Sequence, residues 1–317
     1  MLETSRRQNV SRTVTRVQSS RTVTKEDVTI VLPVLNEEEG VAAVIDELNR
    51  LGYWKILVVD GYSTDMTVEV AKSRGVEFVQ QHGKGKTGAI NTAIERVSTP
   101  YVLVMDADFT YDASDIQKFL DHADHYDEII GVRRKDNISR VHRVGNWIIT
   151  RVFNFLFATK ISDVCSGMYL LKTSSAKELE LATDGFGTEV EVISQVATQG
   201  RITEVPINYR SRIGPAKLSW KNGLTILSTT VGLARAYNPV LVYSIIAGLA
   251  TIPGLTILSW TYGIWITQGE FYEGWAMLGG ISILVASVAF TLGTLSVLMK
   301  RLEVRISRRI KENTDLL

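Results

Sequence analysis

The feature that most constrains this chain is a run near its carboxyl end, VLVYSIIAGLATIPGLTILSWTYGIW, whose only ionisable side chains are Tyr243 and Tyr262. It covers residues 240–265, and 26 residues of helix at ~1.5 Å each reach about 39 Å, beyond the ~30 Å hydrocarbon core of a bilayer. A tilted membrane-spanning helix is the natural reading, with Pro253 a kink that neighbouring helices tolerate. A second run, WAMLGGISILVASVAFTLGTLSVLM, covers residues 275–299 and leads into the basic KRLEVRISRRIK, whereas the connecting TQGEFYEG carries two glutamates and no Lys or Arg. By the positive-inside rule the loop is outside and the tail cytoplasmic, and two spans return the amino-terminal portion to the cytoplasm as well. A buried hairpin in a soluble protein is the alternative; it fits less well, because neither run shows a polar face.

The other 240 or so residues are not membrane-like. Charge is balanced, 35 Lys+Arg against 34 Asp+Glu, so no global field favours nucleic acid as a partner. One cysteine, Cys165, excludes an intramolecular disulfide. Residues 1–26 are rich in Ser, Thr and Arg without apolar periodicity; they read as a disordered basic tail able to rest on anionic lipid, and no apolar segment follows to make them a secretory signal. The expected organisation is this tail, a folded domain over 27–220, an interfacial amphipathic segment over 221–238, and two membrane helices with a basic cytoplasmic tail over 239–317.

Within the folded domain, VTIVLPVL, KILVVD, VEFVQ, YVLVMD and EIIGV are short β-branched runs, and segments of helical spacing begin at Glu37, Asp65, Lys86 and Asp112. Apolar strands alternating with helices predict a Rossmann-like α/β domain with a parallel sheet covered on both faces. In such sheets ligands bind beyond the carboxyl ends of the strands, and here those ends carry Asn36-Glu37, Asp60, and the pair Asp106 and Asp108. Two carboxylates at i and i+2 can address one hard divalent cation, Mg²⁺ or Mn²⁺, together with a diphosphate. A lone D-x-D also serves as a helix cap and turn, with Asp112 close by to cap the next helix. GKGKTG (residues 83–88) is not a Walker loop, because Gln80 stands where that motif needs glycine. It can still present backbone N–H groups and Lys86 to an anion, or it is a plain helix start.

VLPVLNEEEG, VVDGYSTDMT, GKGKTGAINTA, MDADFT, DVCSG and VPINYRSRIGPAKLS, in that order, resemble the family-2 glycosyltransferases, most nearly the dolichyl/polyprenyl-phosphate sugar synthases of archaeal type. The resemblance implies a GT-A fold and a nucleotide-sugar donor site containing Pro33, Asn36, Glu37, Asp60, Ser63, Asp65, Lys86, Asp106 and Ala107. It makes Asp106 and Asp108 the metal and diphosphate ligands, and gives catalytic roles to these two with Arg212 and Lys217 from a loop that closes on the donor. Gly61 stands where many relatives carry Asp, and Thr110 where mannose synthases often carry Gln. Glu37 and Asp65 also suit ordinary helix starts, and Glu189 and Glu191 either touch sugar hydroxyls or serve a helix dipole. The four histidines share no ligand spacing with Cys165.

A lipid phosphate is anionic near neutral pH, so it attacks an anomeric carbon without a dedicated base. Arg133 and Arg143 correspond to the family's acceptor-phosphate residues. Arg143 lies in RVHRVGNWIITRVFNFLF, which has the composition of an interfacial helix or of a core-facing helix with solvated arginines. The implied activity is inverting transfer of a hexose, from UDP-glucose or UDP-N-acetylglucosamine, to dolichyl/polyprenyl phosphate at a membrane, with a homo-oligomer compatible. The alternatives are a GDP-mannose-dependent synthase, a polysaccharide synthase with a sugar acceptor, and a non-catalytic nucleotide-sugar sensor.

Overall fold

The computed structural model describes residues 22–134, 138–183, 187–214 and 220–314. The chain opens with β1 (Val28–Val34), α1 (Glu38–Arg50), β2 (Ile56–Asp60), α2 (Thr67–Ser73), β3 (Glu77–Gln80), α3 (Gly85–Arg96) and β4 (Tyr101–Val104). Next come α4 (Ile116–Leu120), β5 (Glu128–Arg133), α5 (Arg140–Phe157), β6 (Tyr169–Lys172), α6 (Thr173–Ala176), α7 (Thr188–Gln199) and β7 (Ile202–Ile207). Three long helices follow: α8 (Trp220–Tyr237), α9 (Pro239–Gln268) and α10 (Glu273–Thr314).

Among the described residues the strands form a seven-stranded sheet in the order β3-β2-β1-β4-β6-β5-β7. The first four strands pair in parallel as expected, but the sheet is not parallel throughout: β6 runs antiparallel to both β4 and β5. Both β6 and β7 lie outside the five runs read as strands. The four-residue YLLK of β6 is too short to show a period, and it reads like the start of the helix that follows it. Its direction matters, because the chain enters β6 at the edge where β4 ends, which sets DVCSG (residues 163–167) beside the acids of DAD (residues 106–108).

Alternation along the strands sends side chains to two cores. Ile30, Leu32 and Leu103 meet Val41, Ile45 and Leu48 of α1 and Phe119 of α4 on one face. Val31, Leu57 and Val102 meet Ile90 and Ala93 of α3 and Val192 and Val196 of α7 on the other. On the β5 side Ile130 packs with Ile149 and Phe153 of α5 and with Ile226 and Leu233 of α8. The amide of Asn238 donates to the Leu156 carbonyl at 2.7 Å, fastening the end of α8 to α5 just before α9 begins.

Helices α9 and α10 form an antiparallel hairpin in which Gly254 lies against Ile283 and Gly279 against Leu258, each so close that a β-carbon would clash. Residues Pro239–Gln268 and Glu273–Met299 are long and apolar enough to cross a membrane, and only 6% and 17% of their most apolar windows are buried, unlike helices of a soluble core. Pro253 sits inside α9 without ending it. Trp260, Trp265, Phe271, Tyr272 and Trp275 cluster at the hairpin's turn, with ring centroids about 6 Å apart, as aromatic side chains do at a bilayer surface.

One buried acid is not part of this edge. Glu128, at the start of β5, is fully buried with no partner for either carboxylate oxygen, and burial pushes its carboxyl up to about 8. Between about pH 4.5 and 8 the folded chain retains a proton that the unfolded chain releases, so stability falls as pH rises through that window and levels off above it. Replacing Glu128 by Gln is expected to flatten the decline; thermal unfolding of both proteins at pH 5.5, 7 and 8.5 measures it.

Candidate active site

The carboxyl ends of β1, β2, β4, β5 and β7 share one edge of the sheet. Pairing between β1 and β4 stops at Val31 with Val104, while pairing between β1 and β2 continues to Val34 with Asp60, so a crevice opens where the chain order reverses. Pro33 lies on β1 beyond the last β4 partner, where its missing N–H interrupts no ladder on that side. Each of three strand ends carries one non-glycine residue in the left-handed region: Asn36 (φ 53°), Tyr62 (φ 67°) and Phe109 (φ 66°). Such conformations cost energy, are held by their surroundings and concentrate at functional edges.

Asp106 and Asp108 face this crevice, and each carries a protein cation. Lys86 Nζ lies 2.5 Å from Asp106 and 2.5 Å from Glu189. Arg212 donates to Asp108 through Nη1 at 2.8 Å and to Glu37 through Nη2. Burial opposes the Lys86 charge, but the carboxylates of Asp106 and Glu189 hold its pKa well above the usual range. The pKa of Asp108 is raised too, which for an acid disfavours the charged form: burial and the neighbouring Asp106 charge push its carboxyl up, against the opposing pull of Thr110 and Arg212. The Thr110 hydroxyl donates to Asp108 at 2.5 Å, so at this position threonine orients the carboxylate.

Among the described residues no cluster of three or more His, Cys, Asp or Glu forms a closed metal cage. A pair of carboxylates at a solvent-facing edge instead suits a hard cation that takes its other oxygens from a phosphate ligand and water. The Asp106 carboxylate lies over Gly167, where a β-carbon would come within 2.1 Å of its oxygen. A β-carbon on Gly40 of α1 would come within 2.5 Å of the Ala107 carbonyl oxygen and 2.9 Å of the Asp108 α-carbon. These two glycines set the pair's position from either side.

The other residues expected at a donor site divide by role. Asp60 is fully buried and accepts from the amides of Tyr62 (3.0 Å) and Ser63 (3.2 Å), which shapes the loop after β2. Asn36 and Ser63 bind each other's loops: the Asn36 amide donates to Ser63 Oγ at 2.9 Å, and Thr64 N–H to Asn36 Oδ1 at 2.7 Å. Asp65 accepts from the Thr67 amide and hydroxyl and from Glu38 N–H; burial raises its carboxyl, but these bonds bring it below the usual range, the signature of a helix start. The Ala107 side chain points into the core, leaving only its main chain near the crevice. Glu191 accepts from the amides of Ala182 and Thr183 at 2.9–3.2 Å, which answers the open question about it in favour of a structural role. Lys217 lies outside the described residues.

Arg133 and Arg143 line one cavity of about 400 Å³ between β5 and α5. Arg133 is clamped by Asp163 of the DVCSG segment through Nε (2.7 Å) and Nη2 (2.8 Å), a pairing across thirty residues that no local spacing encodes. Its guanidinium lies 5.4 Å from the Tyr209 ring, which meets Tyr111 edge-on at 5.4 Å; the Tyr111 hydroxyl accepts from Gly167 N–H at 2.7 Å. This packed series joins the cavity to the Asp106 seat. Arg210, also unforeseen, pairs with Glu47 and Asp112 over the Phe109 ring and anchors the segment that carries Arg212.

The glycine contacts separate two outcomes. Gly40→Ala meets backbone and is expected to cost about 1–3 kcal/mol of stability, read as a lower Tm. At Gly167→Ala the nearest atoms are those of the Asp106 side-chain carboxylate, so Tm is expected to hold while any Mn²⁺ binding, measured by electron paramagnetic resonance, is lost.

Residues 29–180 match the profile described as glycosyl transferase family 2. The chain is 33% identical over 299 residues to glycosyltransferase AglJ of Haloferax volcanii, covering 91% of this chain and 99% of the relative. It is 32% identical over 202 residues to that organism's dolichyl-phosphate hexose transferase, covering 62% of this chain and 88% of the relative. Among solved structures, glucosyl-3-phosphoglycerate synthase from Mycobacterium tuberculosis, in complex with Mn²⁺, uridine diphosphate and glucosyl-3-phosphoglycerate, superposes with a TM-score of 0.56 at 18% identity, over 67% of this chain and 80% of that one. That likeness gives the fold, GT-A. With a near full-length relative at this identity, the chain belongs to glycosyltransferase family 2 and is a glycosyltransferase.

Proposed function

We propose that this enzyme transfers a hexose, with inversion, from a UDP-sugar to a dolichyl or other polyprenyl phosphate at the cytoplasmic face of a membrane. The observation that carries the reading is the joining of two sites on one sheet edge: a carboxylate pair suited to a diphosphate and its cation, and an arginine-lined cavity beside an apolar hairpin. The name of the dolichyl-phosphate hexose transferase supports the acceptor class. The Mn²⁺ and uridine diphosphate in the mycobacterial synthase complex support the donor class. UDP-glucose and UDP-N-acetylglucosamine are the favoured donors. Thr110 is committed to Asp108, which gives no support to a mannose-type ligand at that position.

In this reading Asp106 and Asp108 hold Mg²⁺ or Mn²⁺, which when bound supplies positive charge to the departing diphosphate. Glu37 and the loops organised by Asn36, Asp60, Ser63 and Asp65 shape the nucleoside side of the crevice. Arg212 faces the diphosphate, a role the family resemblance also gives to Lys217; Lys86 orients Asp106. Arg133 and Arg143 receive the acceptor phosphate, whose oxygen forms the new bond to the anomeric carbon as the bond to the nucleoside diphosphate breaks. The nucleophile is already ionised, so proximity and charge balance carry the reaction and no side chain has to take its proton. The α9–α10 hairpin anchors the enzyme, and its basic tail sets the catalytic domain on the cytoplasmic side.

Membranes containing the protein, incubated with radiolabelled UDP-glucose, UDP-N-acetylglucosamine or GDP-mannose and polyprenyl phosphate, should yield labelled lipid with one of the UDP-sugars. Label from GDP-mannose alone would refute the donor assignment. Asp108→Asn is expected to keep Tm and membrane association while lowering kcat on the order of 10²-fold or more; an unchanged rate would exclude the metal role.

A further inference from the structure

We propose that Arg151 is a further phosphate-binding residue, seated where the acceptor's headgroup gives way to its hydrocarbon chain. This rests on the acceptor assignment above and adds a residue to which neither motif nor resemblance gives that role.

Three observations carry it. The first is spacing. Arg143, Trp147 and Arg151 succeed one another at four-residue steps on α5, and all three line the cavity that holds Arg133. Val144, Ile148 and Phe155 form the next stripe of the helix and are exposed. Arg151 lies three residues after Ile148 and four before Phe155, so it belongs to both stripes, at the seam between polar cavity and apolar surface.

The second is charge. Among the described residues, the ionisable side chains lining the cavity are Arg133, Arg143, Arg151 and Asp163. Asp163 takes Nε and Nη2 of Arg133 and so cancels one positive charge. A phosphate monoester carries about −1.5 to −2 at pH 7. Among the described lining residues Arg151 adds a positive charge where Asp163 already offsets Arg133, and a dianionic headgroup calls for that addition.

The third is availability. No carboxylate among the described residues pairs with Arg151, and its guanidinium lies 5.7 Å from the Trp147 ring, a contact that holds the planar group without using its N–H donors.

A phosphomonoester acceptor and the anionic surface of a bilayer offer the same chemistry, and the test separates them. The full chain is placed in nanodiscs of zwitterionic lipid, with and without phosphatidylglycerol, and assayed with a short-chain polyprenyl phosphate; uridine diphosphate binding with Mn²⁺ is followed by calorimetry. Arg151→Gln should raise the acceptor KM about tenfold, the size of one charge-assisted hydrogen bond, in both lipids. The Kd for uridine diphosphate and the Tm should not change, and Arg151→Lys should recover part of the loss. An unchanged KM, or a rise confined to nanodiscs containing phosphatidylglycerol, overturns the proposal. If the wild-type protein transfers sugar only to acceptors that lack a phosphate, the acceptor assignment falls and this inference with it; an unaltered KM in Arg151→Gln, with wild-type transfer to polyprenyl phosphate, sinks this inference alone.

Discussion

The site depends on holding two like charges side by side at the end of β4. Asp106 and Asp108 repel each other in a partly buried setting, where Coulomb energies are larger than in water. The protein balances them with Lys86, itself shared with Glu189, and with Arg212, itself shared with Glu37. Those two cross-links draw α3, α7, the end of β1 and the segment after β7 onto one strand end. Much of the surrounding architecture serves that convergence: Gly40 lets α1 approach the backbone, Gly167 leaves room for a carboxylate, and Arg210 ties down the segment bearing Arg212. The crevice is therefore charge-compensated, and in the proposed function binding a cation with a diphosphate would be an exchange of partners more than the filling of a bare negative hole.

The side that carries the apolar hairpin is organised differently. Helices α9 and α10 interlock through glycines and expose apolar side chains over most of their length. Helix α5 is fastened to α8 through Asn238 just where α9 begins, so the arginine-lined cavity and the hairpin are linked by a short rigid path. In the proposed reaction this lets a lipid headgroup reach the sheet edge without leaving the bilayer surface.

How much of this could be read from residues alone depended on the range of the interactions. The runs of β1 to β5 and the two apolar helices carry their own periodicity and composition, so they were legible. YLLK was not, because a four-residue buried strand has no pattern to distinguish it from a helix start, and its antiparallel direction comes from the path of the chain around it. The acids at the strand ends were visible as types, yet their division of labour was not. Asp60 and Asp65 turn out to hold backbone amides, and Arg133 is paired with an aspartate thirty residues away. Such pairings are made by tertiary contact between loops, and no local spacing encodes them.

The aromatic pair Tyr111 and Tyr209 has a mechanical consequence. Arg133 lies over the Tyr209 ring, Tyr209 meets Tyr111 edge-on, and the Tyr111 hydroxyl accepts from the Gly167 amide, so two packed rings connect the arginine cavity to the carboxylate pair. Close-packed rings barely compress, so a displacement at one end of this series is transmitted to the other with little damping, and in the proposed reaction it would couple the acceptor's seat to the donor's.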